Sequence, residues 1–133
     1  MMTFTPGELL AEKTLYINRE KLRRYAEASG DHNPIHLDES FAKSVGLPNV
    51  IAHGMFTMAL AGEAIRFWVG DEWQIVDFST RFTKPVVVPA DGEVGIIFNG
   101  KISEANEKNI LIELSATSAG VKVLGQTKAR LIF

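Results

Sequence analysis

"HGMFTMALAGEAIRFWVG", residues 53–70, is the stretch on which the fold turns. Its apolar side chains fall around most of a helix rather than along one stripe. Glu63 and Arg66 interrupt it, so it is too short and too charged to span a membrane and reads as a buried helix. The helix opens near His53–Gly54, runs to about Val69 and is broken by Gly70 and Asp71. Met55, Phe56, Met58, Leu60, Ile65, Phe67 and Trp68 are core residues by default, with Trp68 and Trp73 packed near its far end. Such a helix must be covered nearly all round.

The rest of the chain supplies the cover. Ile75–Phe82 reads as a strand. Val94, Ile96, Phe98, Gly100 and Ile102 alternate with their neighbours, as do Ile110, Ile112, Leu114 and Ala116, and again Val123, Gly125, Thr127, Ala129, Leu131 and Phe133. Turn signals separate them at Pro89–Asp91–Gly92, Glu104–Asn109 and Ala119–Gly120. Upstream, Lys13–Ile17 reads as a short strand. Asn18 caps a helix over Arg19–Ser29, with Leu22, Tyr25, Ala26 and Ser29 on one face, and Gly30 ends it. Asp38 caps a second, short helix from Glu39 to about Val45. An antiparallel sheet has one apolar face to offer a buried helix. The expected fold is therefore α+β: a sheet of about five strands, the first joining the later ones, wrapped around one long apolar helix in a single domain over residues 1–133. Its open edges invite a second subunit.

The bulk properties narrow the function. The 133 residues carry 46% hydrophobic and 23% charged side chains and a net charge of −2. No basic stripe marks a nucleic-acid surface. There is no cysteine, which excludes disulfides, thiolate catalysis and cysteine metal sites and suits a reducing cytoplasm. The N-terminus lacks the pattern of a signal peptide, and no membrane association is expected.

All three histidines lie between Ser29 and Gly54. Pro34 makes Asp31–His36 a defined turn. A carboxylate and an imidazole five positions apart across it can converge on one water as a proton-transfer pair. On spacing alone, a turn cap at Asp31 and a structural hydrogen bond at His36 are the more economical reading. Gly54 begins the long helix, where backbone N–H groups are free and positive potential collects, a possible site for a carbonyl oxygen. His32 reads as an exposed turn residue and His53 as a structural partner at the helix start. The histidine spacings match no standard zinc pattern, so no metal is expected. In Phe82–Asp91, two prolines bound an apolar run, which points to an edge strand or bulge. Arg81 and Lys84 suit either solvated charges or contacts to a ligand's phosphates.

"SGDHNPIHLDESFAKSVGLPNVIAHGM", residues 29–55, closely resembles the motif of the MaoC-like, (R)-specific enoyl-CoA hydratases: Ser/Thr-Gly-Asp-x-Asn-Pro, an apolar residue, His, and later His-Gly-Met. Phe82–Asp91 resembles the family's later Phe-x-x-Pro-Val strand, with Ala90 where glycine is usual. The look is closest to the catalytic subunit of actinobacterial fatty-acid-elongation dehydratases. The resemblance implies a hot-dog fold, usually dimeric, with itself or with another hot-dog subunit. It implies reversible hydration of a trans-2-enoyl thioester to the (3R)-hydroxyacyl thioester. Asp31 and His36 would activate the water, the Gly54 N–H would bind the thioester oxygen, and Asn33 and Met55 would stand beside it. No cofactor is implied beyond the carrier, CoA or acyl carrier protein. Some members carry a small polar residue on the central helix where this chain has Gly62 or its neighbours, which leaves the shape of the acyl pocket open. Two other readings remain: a hot-dog thioesterase, for which Glu63 is the only acid on the helix, and a non-catalytic, tunnel-forming partner subunit, which usually lacks one of the two catalytic residues.

Overall fold

In a computed structural model, which describes residues 3–133, the elements run β1 (Lys13–Ile17), α1 (Arg19–Ser29), a 3-10 turn (Pro34–His36), α2 (Glu39–Ser44), α3 (Gly54–Val69), β2 (Gln74–Phe82), β3 (Val94–Ala105), β4 (Asn109–Ser118) and β5 (Val121–Ile132). The caps act as their chemistry dictates. The Asn18 side chain accepts from the Lys21 N–H, and Gly30, at φ 81°, ends α1 in the left-handed conformation that costs glycine nothing. The Asp38 side chain accepts from the Phe41 N–H at the start of α2.

The five strands form one antiparallel sheet in the order β1-β3-β4-β5-β2. Alternation drives it: Ile96, Phe98 and Ile102 of β3, Ile110, Ile112, Leu114 and Ala116 of β4, and Val123, Ala129 and Leu131 of β5 turn inward against Leu60, Ala61, Ala64, Ile65 and Trp68 of α3 in one buried cluster. β5 breaks strict alternation where its register with β4 shifts near Ala116 and Gln126 takes φ 50°; Leu124 is buried there beside Val123. At Gly100 of β3 the sheet backbone runs close against α3. A Cβ at this position would sit 2.8 and 2.9 Å from two ring carbons of Trp68, and that ring is pinned by its Nε1 donating to the Ala11 carbonyl at 2.6 Å. Gly100→Ala is therefore expected to destabilise the fold by about 1–3 kcal/mol through overpacking. Thermal unfolding checks this; an unchanged midpoint would mean that Trp68 yields freely.

Two expectations need correction. α3 is not covered all round: Met55 is 59% and Phe67 57% exposed. One sheet of this width curves around only part of the helix, and the Lys13 Nζ lies over the Phe67 ring, 4.4 Å from its centroid. The apolar run between Pro85 and Pro89 is neither an edge strand nor a bulge of the main sheet. It pairs with the segment just before α3, Ala52 N–H donating to Val86 O and Val88 N–H to Val50 O, both at 2.9 Å, around a bridge between Ile51 and Val87. This ribbon buries Val50, Val86 and Val88. The Arg19 guanidinium ties α1 to it through Val88 O and Asn49 Oδ1. Among the described residues, no helix is long and apolar enough to cross a membrane.

Candidate active site

The ribbon fixes the floor of a site. The Ile51 N–H donates to Ile35 O at 3.1 Å, which draws the 3-10 turn onto it. His36 Nδ1 then lies 2.8 Å from the Ile51 carbonyl. A carbonyl only accepts, so Nδ1 carries a proton, and in the neutral imidazole Nε2 is then the nitrogen with the lone pair. His36 is buried, 7% exposed. Its Nε2 lies 4.0 Å from Asp31 Oδ2, and the Asp31 side chain is half exposed. The turn itself is held locally: Asn33 N–H donates to Asp31 Oδ1 at 3.1 Å and Ile35 N–H to Asn33 Oδ1 at 3.2 Å. Asn33 is thus part of the turn's own hydrogen bonding.

The 4.0 Å gap is too long for a direct hydrogen bond and well sized for a shared oxygen. An oxygen bonded to both atoms at about 2.8 Å subtends them at about 90°, within the range a water accepts. A cleft of about 280 Å³ opens beside His36, lined by Ile51, Ala52, Gly54, Thr57 and, on the far wall, Phe82–Val86 and Val123. No side chain caps α3, so its first-turn N–H groups, Gly54's among them, lack the usual acceptor where the helix meets the cleft. The Phe82 ring lies against Gly54, with three ring carbons 3.2–3.3 Å from where a Cβ would stand.

Of the sequence candidates, the fold brings Asp31, Asn33, His36 and Gly54 to one place, and Lys84 to the cleft wall. Met55 is exposed and is not among the residues that line the cleft. Arg81 is exposed on β2, in register with Gly125, and is not among the lining residues. Gly62 does not line the cleft either; its nearest foreign neighbour is Phe78. The small polar side chain that α3 offers the cleft is Thr57, 3% exposed, its hydroxyl 3.3 Å from the His53 carbonyl. Helical spacing held that signal, since Thr57 is one turn from His53 and Gly54. The Ile51 carbonyl carried no signal at all.

His53 is 1% exposed. Its Nε2 lies 3.1 Å from the Asp31 carbonyl, and its ring stacks on His36 with centroids 3.9 Å apart and planes at 23°. Burial holds its pKa below the ordinary histidine value, against the opposing effect of the Asp31 carbonyl. The candidate ligand atoms of Asp31, His36 and His53 lie within 4.8 Å of one another, a cluster that spacing did not foretell. Stacked imidazoles direct their in-plane lone pairs side by side rather than toward one ion, and one nitrogen of each ring already faces a carbonyl. The set does not fit a metal.

Residues 4–119 match the family described as "MaoC like domain". The chain is 51% identical over 78 residues to the 3-hydroxyacyl-thioester dehydratase X of Mycobacterium tuberculosis, an alignment covering 57% of this chain and 26% of that protein. Its fold superposes on a MaoC-like dehydratase with a TM-score of 0.92 at 34% identity, covering 98% of this chain and 41% of the other. It also superposes on the R-hydratase PhaJ1 of Pseudomonas aeruginosa with a TM-score of 0.84 at 28% identity, covering 97% and 81%. The matched segment spans about a quarter of the curated relative. With the hot-dog arrangement of sheet and helix and the Asp31–His36 pair in place, the chain belongs to the MaoC-like family.

Proposed function

We propose that this chain is a hydro-lyase that reversibly hydrates trans-2-enoyl thioesters to (3R)-hydroxyacyl thioesters. The observation that carries the reading is the Asp31–His36 pair, Nε2 to Oδ2 4.0 Å apart with His36 Nδ1 turned to the Ile51 carbonyl, at the mouth of an apolar cleft that ends on a free helix N-terminus. A water between the two side chains donates one O–H to Nε2 and the other to the carboxylate. As its oxygen bonds to C3 and one O–H breaks, Nε2 takes the proton, the C2–C3 π electrons move toward the thioester, where the Gly54 N–H meets the negative charge that develops on the oxygen, and Nε2 then delivers that proton to C2. In reverse, the same groups remove the hydroxyl as water. The relatives named as dehydratase and R-hydratase support this reaction class.

The thioesterase reading loses its acid. Glu63 is exposed on another face of α3, in a groove with Lys21, Arg24 and Tyr25, away from the cleft. A purely tunnel-forming role is disfavoured by the presence of both Asp31 and His36. We place the substrate's carrier, CoA or an acyl carrier protein, toward Lys84 at the rim, with no further cofactor. A second hot-dog subunit, identical or related, is assigned to the β2 edge, where Ile75, Val76 and Phe82 are exposed.

The test is to incubate the protein with short- and long-chain trans-2-enoyl-CoA, following the conjugated enoyl absorbance and free thiol together. Loss of absorbance without thiol release is expected. Thiol release with the enoyl group intact would instead establish a thioesterase.

A further inference from the structure

We infer that His53 is a positioning residue that holds the Asp31 loop and the His36 ring in working geometry; this rests on the hydratase reading of the site. Hydrogen bonds within the loop are local: Ser29 Oγ accepts from the Asp31 N–H, Asp31 Oδ1 from the Asn33 N–H, and His32 Nδ1 meets Gly30 O. Among the described residues, the hydrogen bond that ties residues 30–33 to a distant part of the chain is the one between His53 Nε2 and the Asp31 carbonyl, 22 positions apart and 3.1 Å long. That carbonyl belongs to the residue whose carboxylate faces His36.

The rest of His53 reaches the other parts of the site. Its ring lies flat against His36 and is backed by Tyr25, 4.7 Å away, which itself stacks on Phe56 of α3 at 4.8 Å and 16°. The imidazole of His36 is thereby fixed by the Ile51 carbonyl at its edge and by a braced ring on its face. The His53 backbone precedes Gly54, and its carbonyl accepts from the Thr57 N–H at 3.1 Å and faces the Thr57 hydroxyl. One residue therefore links the carboxylate loop, the imidazole and the helix N-terminus. The contact with the Asp31 carbonyl makes Nε2 the protonated nitrogen and leaves Nδ1 as a lone pair, buried and without a partner. A buried acceptor left unsatisfied is costly to a fold, so stability alone does not account for a histidine here.

Two substitutions separate positioning from packing. His53→Phe keeps an aromatic ring against His36 and Tyr25 but removes the donor. His53→Gln places an amide N–H near the position of Nε2 and removes the ring. Two readouts are needed: hydrogen exchange at residues 30–33, which does not depend on the reaction, and kcat and KM with an enoyl-CoA substrate. In His53→Phe, loop exchange should quicken and kcat fall about 10–100-fold, the scale of a small misplacement of catalytic groups, with KM nearly unchanged. His53→Gln should restore slow loop exchange and recover much of kcat. Unchanged loop exchange in His53→Phe, or Gln behaving no better than Phe in both readouts, overturns the proposal. If loop exchange quickens as expected while the wild-type protein hydrates no enoyl thioester, the positioning geometry stands and the hydratase reading fails.

Discussion

Asp31→Asn should lower turnover of an enoyl thioester by about 10²–10⁴-fold, the range associated with one positioned acid–base group, and leave thermal unfolding nearly unmoved. The stability half follows from the environment. The Asp31 side chain is half exposed, so the fold does not depend on its charge. An asparagine retains the oxygen that accepts from the Asn33 N–H and the backbone carbonyl that meets His53. What it loses is a carboxylate oxygen able to accept from a water shared with His36. The companion variant is His36→Asn, whose amide can replace Nδ1 as donor to the Ile51 carbonyl and offers nothing in place of Nε2. It should match Asp31→Asn in kinetic effect, and the double variant should be little worse than either single one, as expected for groups that act as a unit. Wild-type turnover in either single variant would remove the dyad from the mechanism. Steady-state kinetics and thermal unfolding on the same preparations decide between these outcomes.

Gly54→Pro should cost about 10²–10³-fold in kcat relative to Gly54→Ala, the scale reported for removal of one oxyanion donor. The comparison is clean for conformational reasons. Gly54 is the first residue of α3, a position where proline is well accepted because its missing N–H has no intrahelical partner. His53, at φ −58° and ψ 134°, already has the extended conformation that a following proline requires. Both variants introduce a Cβ against the Phe82 ring, 3.2–3.3 Å away. Since Phe82 is half exposed, its ring can give way, and this cost is common to the pair. What separates them is the N–H. Equal kcat in the two would mean that the thioester oxygen is stabilised elsewhere.

Much of this fold was legible because local signals agreed with the global arrangement. The caps at Asn18 and Asp38, the glycines at 30 and 70 and the alternation in β3 and β4 each reported their own element. What stayed hidden was carried by long-range contacts. The apolarity of α3 does not say which face this chain covers, so Met55 and Phe67 read as core. Pro85 and Pro89 bound a run that reads as an edge strand or bulge of the sheet, and nothing local says that Val86–Val88 pairs instead, through backbone groups, with Val50–Ala52. In the site, Asp31, His36 and Gly54 were legible as residue types in a spacing. The spacing alone favoured a turn cap over a dyad, and the resemblance to a known motif tipped the reading. The Ile51 carbonyl that sets the His36 tautomer and the Asp31 carbonyl that meets His53 leave no trace in a sequence, because every residue has a carbonyl. Thr57 lies within reach of helical spacing, one turn from His53 and Gly54, while the family motif directs attention to Gly62 and its neighbours.

Addition and removal of water on one face of a thioester-conjugated double bond in this cleft can be followed without ambiguity in the dehydration direction. The (3R)- and (3S)-3-hydroxyacyl-CoA enantiomers, each in a short- and a long-chain form, are supplied separately, and the appearance of conjugated enoyl absorbance is followed. Formation of the enoyl thioester from the (3R) substrates alone, lost in Asp31→Asn, is the predicted result. Dehydration of the (3S) substrates, or of both enantiomers alike, would rule out a (3R)-specific hydratase site built on Asp31 and His36.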